Sequence, residues 1–373
     1  MKKIGLATCF IDNYGACLQA HALQTAIENL GFQCDIINFT EPLGYPKNTA
    51  KDRLKTIPAV KEIYARLKPS VRKSYEVEKK FILFRKKYLN ISSREYRTTA
   101  DIKKNPPVYD AYVCGSDQIW NPKLYGRNNS VYFLDFAPKG KRRIAYAPSI
   151  GLHEFPPEYA DDFKNLVDKM DTVSVREAEG KKIVDELTHK TARVVLDPTL
   201  LHNSAYWSEL TRPLELGVPF IFCYVFGDKP YMHEVIEQLQ SETGYLIVYT
   251  DVTKWGSKIR NSEPASGVGP SEFLWLIKNA EFVITDSFHA TAFSLNFNTP
   301  FYTMLRNDDS DKMNMNSRIY SILEKVGLES RIVSSKTIPE KMNYTVDFSE
   351  ANKKLQECRE QDINFLKASL EGI

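Results

Sequence analysis

Two short stretches carry the side chains best suited to holding an anion. In Ile284-Thr285-Asp286-Ser287-Phe288-His289-Ala290-Thr291 an apolar strand runs into a helix capped by Asp286 or Ser287. The free backbone N–H groups of such a helix start form an anion site. His289 falls in the first turn, where it can donate to an anion or act as an acid, while Phe288, Ala292 and Leu295 form the buried face. In Ser174-Val175-Arg176-Glu177 a serine precedes a glutamate by three residues, which fits a capping box with Ser174 at the N-cap. Arg176 then sits in the first helical turn, where a cation opposes the helix dipole unless a bound anion compensates it. Arg176 is therefore a candidate phosphate or carboxylate ligand, with a surface salt bridge as the rival reading.

Two further junctions offer polar groups. Gly115-Ser116-Asp117-Gln118-Ile119-Trp120-Asn121-Pro122 follows a strand. There Asp117 could orient or deprotonate a sugar hydroxyl and Trp120 could stack on a sugar face; the alternative is a capped turn with Trp120 in the core. Phe10-Ile11-Asp12-Asn13-Tyr14-Gly15 places Asp12 or Asn13 at a helix cap, and Gly15 permits close backbone approach to a ligand. It lacks the GxGxxG spacing of a dinucleotide site. No Walker loop, HExxH or nucleophile elbow occurs, and His and carboxylates do not cluster at metal-ligand spacing, so no metal is expected.

The elements that must position these residues alternate throughout. Lys3–Cys9 reads as a strand, Tyr14–Leu30 as a helix with Ala16, Ala20, Leu23 and Ile27 on one face, and Gln33–Phe39 as the next strand. This βαβ opening predicts a parallel sheet. Further strands are expected at Tyr109–Cys114, Arg143–Ser149, Thr172–Ser174 and Ala192–Leu196. A helix is expected near Pro157–Met170, and another from Val175. Between His202 and Pro219 no long apolar run appears, and the pattern then restarts. Strands are read at Phe220–Phe226, Tyr245–Thr250, Phe282–Thr285 and Phe301–Leu305, and Asp251–Gly269 as a polar loop. The reading is an α/β chain of two Rossmann-like domains, at 1–205 and 206–348, whose parallel sheets face across a cleft. A last helix, 349–373, packs back on the first domain. Ligands in such sheets bind beyond the strand carboxyl ends, where all four junctions lie.

Net charge is only +3 over 373 residues, which gives no reason to expect nucleic-acid binding. Lys51 to Lys87, however, holds thirteen Lys/Arg against four Asp/Glu, leaving the remainder net acidic by six. Two basic helices are expected in this 51–88 insertion, one marked by Val60, Ile63, Tyr64 and Leu67 and one by Val77, Phe81, Phe84 and Tyr88. Such a segment suits an anionic lipid surface or lipid diphosphate, or is a solvated helix face. The six cysteines form no CxxC pair and lie mostly in apolar patterns, as in a reduced cytoplasmic protein. No apolar run approaches the roughly 20 residues of a membrane helix. The opening Met1–Leu6 is read as a strand rather than a signal peptide.

Taken in order, Asn13-Tyr14-Gly15-Ala16 with Leu18-Gln19-Ala20, the Gly115–Pro122 turn, Ser174-Val175-Arg176-Glu177, Leu196-Asp197-Pro198-Thr199-Leu200 and Ile284-Thr285-Asp286-Ser287-Phe288-His289 resemble the polysaccharide pyruvyl transferase family. One departure is Ala290, where the family usually carries Gly; Ala suits a helix better. The resemblance implies a GT-B-like fold, phosphoenolpyruvate as donor with no further cofactor, and a sugar or lipid-linked oligosaccharide as acceptor. It implies that Arg176 and His289, with Ser287 and Asp286, hold the donor. Asn13, Tyr14, Asp117 and Trp120 are expected on the acceptor side. His289 is expected as phosphate support or general acid and Asp117 as base, with His153 and His21 as lesser candidates. A nucleotide-sugar glycosyltransferase on the same fold, or a non-catalytic binding protein of a polysaccharide pathway, are the rival functions.

Overall fold

The computed structural model describes residues 1–11, 13–40, 69–125, 129–250, 256, 259–311 and 314–373. Its first sheet comprises β1 (Lys3–Ala7), β2 (Gln33–Ile36), β3 (Ala111–Cys114), β4 (Arg142–Ala145), β5 (Thr172–Val175) and β6 (Arg193–Val194), in the order β2-β1-β3-β4-β5-β6. The second comprises β7 (Phe220–Tyr224), β8 (Leu246–Tyr249), β9 (Ser262–Pro264), β10 (Phe282–Thr285), β11 (Phe301–Met304) and β12 (Ile332–Val333), in the order β12-β11-β10-β7-β8-β9. Every pairing is parallel, with Ile4 opposite Ala111 in one sheet and Ile284 opposite Cys223 in the other. Parallel strands need helical crossovers, which cover both faces; hence β3, β7, β10 and β11 are apolar runs buried along their whole length.

The helices are α1 (Tyr14–Asn29), α2 (Pro69–Tyr88), α3 (Thr99–Lys104), α4 (Pro122–Tyr125), α5 (Ala160–Val167), α6 (Ala178–Leu187), α7 (Ser204–Glu209), α8 (Pro230–Thr243), α9 (Pro270–Asn279), α10 (Phe288–Phe297), α11 (Ser317–Val326) and α12 (Ser349–Leu370). The first of the two expected basic helices lies outside the described residues. The second is α2, which turns Phe81 and Phe84 into the core. Six elements escaped the sequence reading: the short helices α3, α4 and α7, then α11, β12 and β9, the last inside the stretch read as a polar loop.

The two sheets are joined by more than the connection from Val194 to Phe220. One apolar cluster runs from Ile4 and Val113 of the first sheet through Leu18 and Leu23 of α1 to Phe273 of α9 and Phe222 of the second sheet. Tyr14 Oη donates to Val268 O at 3.0 Å, and its ring stacks on Phe273 with centroids 4.5 Å apart. The last helix returns to the first sheet: Leu196 N donates to Asp362 Oδ2 at 2.8 Å, and Arg142 Nη1 donates to Ser369 O at 3.1 Å. Among the described residues no helix is long and apolar enough to cross a membrane.

Candidate functional site

Carboxyl ends of strands from both sheets meet at Asp197. It follows β6 and caps a single 3-10 turn, its Oδ1 accepting from Thr199 N at 3.0 Å and Thr199 Oγ1 at 2.7 Å. Its Oδ2 accepts from Arg176 Nη1 at 2.7 Å and lies 2.8 Å from Ser116 Oγ. His289 Nε2, from the second sheet's side, stands 3.7 Å from the same oxygen, an ion-pair distance too long for a hydrogen bond. Burial pushes this carboxyl up, but the His289 imidazole, Arg176 and the Thr199 N–H outweigh it and hold it well below the usual carboxylate range. Asp197 is therefore a fixed anion between the Arg176 guanidinium and the His289 imidazole.

Arg176 is 4% exposed. Burial alone lowers its pKa, but Asp197, Asp117 and Glu177 more than reverse that and keep it charged. Its guanidinium lies 4.2 Å over the Phe288 ring, and its Nη2 is 3.7 Å from Asp117 Oδ1. Two of its nitrogens, Nε and Nη2, are buried without a hydrogen-bond partner among the described residues, and so is His289 Nε2. Unsatisfied buried donors cost free energy, about 1–3 kcal/mol each and more on a charged group, so their occurrence together marks a place prepared for an acceptor.

The local fold differs from the capping box read in the sequence. Ser174 lies within β5, where its Oγ donates to Ala145 O at 2.8 Å and accepts from Ala147 N at 3.2 Å. The N-cap of α6 is Glu177, so Arg176 precedes the helix rather than occupying its first turn. Glu177 Oε1 instead gathers the loop after β4, accepting from Ile150 N at 2.8 Å, Gly151 N at 2.9 Å and Ser149 Oγ at 3.1 Å. Arg176 thus owes its position to Asp197 and to strand β5.

The β3 junction holds Asp117 half-buried with φ at 66°, the left-handed region that Asp tolerates better than most residues. Gln19 of α1 secures this turn: its Oε1 accepts from Ser116 N at 2.9 Å, and its Nε2 lies 2.8 Å from Thr8 Oγ1 and from Cys9 O. Gly15 of the same helix lies against His289; a Cβ there would stand 2.1 Å from Nδ1.

Several expected roles change. Trp120 is 1% exposed, stacked on Phe133 at 4.9 Å, with Nε1 donating to Tyr132 O at 3.0 Å, so it cannot offer a face to a sugar. Tyr14 is an inter-sheet packing residue with its hydroxyl already committed. Asn13 is exposed and caps α1 through Ala16 N at 3.2 Å, while Asp12 lies outside the described residues. Asp286 cannot receive an anion: its carboxylate accepts from Phe226 N at 2.9 Å, Gly227 N at 2.7 Å and Arg306 Nε at 2.9 Å. It positions Arg306. Ser287 holds the N-cap position of α10 without a side-chain cap bond, leaving its hydroxyl unengaged in the cap. His21 is buried; its Nδ1 must donate to Tyr88 O at 3.0 Å, leaving Nε2 to accept from Tyr206 Oη at 2.7 Å. Burial pushes its pKa down to about 4, so it is a neutral packing residue. His153 is exposed on the loop after β4.

Five residues were missed as contributors. Asp197 was seen only as part of a motif, and Ser116 and Gln19 only as its neighbours in others. Arg306 follows β11, where the rule that ligands bind beyond strand ends points to it. Arg318 sits in the first turn of α11, itself unread, and its one hydrogen bond among the described residues is Nε to Met315 O at 3.3 Å. Burial and the nearby Arg176 lower its pKa to about 10. Arg306, Arg318 and Phe288 line a small pocket with Asn307 and Asn316. Among the described residues no three His, Cys, Asp or Glu side chains gather as a metal site would require.

A family model described as polysaccharide pyruvyl transferase matches residues 13–309. A search of curated proteins finds no match. Among solved structures, a protein from Listeria monocytogenes assigned as a UDP-N-acetylglucosamine 2-epimerase is similar at 10% identity, with 100% of this chain and 97% of that one covered and a TM-score of 0.51. The UDP-GlcNAc 2-epimerase of Methanocaldococcus jannaschii gives 13% identity, 97% and 92% coverage and a TM-score of 0.49. MurG of Acinetobacter baumannii gives 8% identity, 99% and 100% coverage and a TM-score of 0.44. At these identities the likeness concerns the fold alone: two parallel-sheet domains in the GT-B-like arrangement.

Proposed function

Because the chain belongs to the polysaccharide pyruvyl transferase family, we propose that it moves the pyruvyl group of phosphoenolpyruvate onto two hydroxyls of a sugar, forming a cyclic ketal. The observation that carries this reading is the buried trio of unpartnered nitrogens, Arg176 Nε and Nη2 and His289 Nε2, gathered around Asp197. The donor carries a phosphate and a carboxylate, and the charges of Arg176, Arg306 and Arg318, with the His289 imidazole beside them, match that pattern. The first-turn N–H groups of α10 and the Ser287 hydroxyl add neutral donors on the same side.

In the proposed reaction a proton is added to the methylene carbon of phosphoenolpyruvate, leaving an oxocarbenium-like C2. A sugar hydroxyl attacks C2 and gives up its proton. The C2–O bond to phosphate then breaks, inorganic phosphate departs, and a second hydroxyl attacks C2 and releases its proton to close the ring. His289 serves as phosphate support or acid, and Asp117, whose carboxylate is half-buried, as the base. Asp197 holds Arg176 charged and faces the imidazole of His289. Exposed Asn13, at the start of α1, is the remaining acceptor-side candidate. The acceptor is read as lipid-linked and cytoplasmic, with domains at 1–205 and 206–348 and the 349–373 helix closing the first.

Incubation with phosphoenolpyruvate and a galactose-containing lipid-linked oligosaccharide should release phosphate and yield a sugar heavier by one pyruvic acid less one water. Arg176→Ala and His289→Ala should each lose at least about 100-fold in turnover while remaining folded. Thermal shift by nucleotide sugars but not by phosphoenolpyruvate would overturn the reading in favour of glycosyl transfer.

A further inference from the structure

We propose that α2 is the surface by which this protein docks on an anionic lipid bilayer, with Ile82 and Leu83 entering the headgroup region between lysines that bind lipid phosphates. The inference rests on the reading of a lipid-linked acceptor and gives it a location.

Ile82 and Leu83 are 45% and 59% exposed, and among the described residues they are the only exposed large apolar pair that is consecutive in sequence. Helical spacing puts Lys79 one turn before them and Lys86 and Lys87 one turn after, all exposed. No acidic residue interrupts this stripe from 79 to 87. Its direction is set by packing on the opposite side of the helix. Phe81 lies against Tyr14 at 5.1 Å, Phe84 is buried, and Lys80 Nζ pairs with Glu272 of α9 at 2.7 Å. Gly269, before α9, approaches so closely that a Cβ there would stand 2.5 Å from Lys80 Cβ. The helix is therefore held between the domains with its apolar pair pointing outward. A groove of about 320 Å³ continues from Leu83 past Lys80, Phe84 and Lys87 to Arg212 and Pro270.

Apolar side chains flanked by lysines are what the boundary between headgroups and acyl chains selects, and each lysine adds attraction to anionic lipid. A protein partner fits less well, because two protruding apolar side chains fall far short of a stable protein interface. The charge distribution agrees, since Lys51 to Lys87 is strongly basic while the rest of the chain is net acidic.

The test is co-sedimentation of the full chain with vesicles of phosphatidylglycerol and phosphatidylcholine, against phosphatidylcholine alone. Binding is expected only to the anionic vesicles and should weaken with salt. The double variant Ile82→Ser with Leu83→Ser, and separately the triple variant Lys79→Gln, Lys86→Gln and Lys87→Gln, should each lower the vesicle partition coefficient roughly tenfold. Both should keep the parent's thermal midpoint. Equal binding to both vesicle types, undiminished binding by either variant, or a dimer that the Ile82/Leu83 variant dissociates would overturn the proposal. Neither phosphoenolpyruvate nor acceptor is present, so failure here leaves the transferase test untouched, and failure of that test leaves this one standing.

Discussion

One oxygen of Asp197 faces Arg176 and His289 together, the two residues whose buried nitrogens lack partners. Its carboxyl is held below the ordinary range, so its stabilising contribution is fully present above about pH 4 and is lost as pH falls through the folded value. Asp197→Asn leaves the buried Arg176 without its closest counter-charge and should cost about 3–5 kcal/mol in urea unfolding at neutral pH. His21 acts at higher pH, also on acidification. Its folded value near 4 lies below the ordinary 6.5, so the unfolded chain binds the extra proton between the two. Stability should therefore be complete above pH 6.5 and fall by about 2–3 kcal/mol on acidification to pH 4. A His21→Gln variant should flatten that slope in urea unfolding at stepped pH. Gly15→Ala tests the seat of the imidazole: the new Cβ would collide with Nδ1, so turnover should fall while far-UV circular dichroism stays unchanged.

At the scale of elements, α10 is clamped to the first sheet at both ends. His289 in its first turn faces Asp197, and Asn296 in its last turn donates through Nδ2 to Thr199 O at 3.1 Å and His202 O at 3.0 Å. Arg359 of α12 binds both partners, donating to Leu200 O at 2.7 Å and to Asn296 Oδ1 at 2.8 Å. Arg359→Met should therefore lose about 1–3 kcal/mol of stability by removing charged hydrogen bonds, and should lower kcat more than it raises KM, since it displaces the imidazole rather than a binding group. The main elements were legible in the sequence because each buried strand is a short apolar run and each helix repeats its apolar face. The capping box at Ser174 failed because Val173 and Val175 are both buried and continue the strand past the serine. Trp120 failed for another reason: the spacing located a turn but left open whether the indole faced inward. Asp197 was missed because a carboxylate at a strand end looks like a cap, which it also is; only the fold brings the second sheet's histidine to its other oxygen.

For the molecule as a whole, the shared apolar cluster and the returning α12 join the two sheets into one cooperative body. Calorimetry should give one endotherm, with two resolved transitions arguing against that coupling. The GT-B-like architecture provides facing strand ends; which ligand they take is set by the side chains at those ends. Here these are arginines and a histidine, suited to a small, doubly anionic molecule. The central claim is met most directly by a crystal structure with phosphoenolpyruvate bound. Oxygens of its phosphate or carboxylate are expected within hydrogen-bonding distance of Arg176 Nε or Nη2 and of His289 Nε2. A bound donor elsewhere, with those nitrogens still unpartnered, would contradict it.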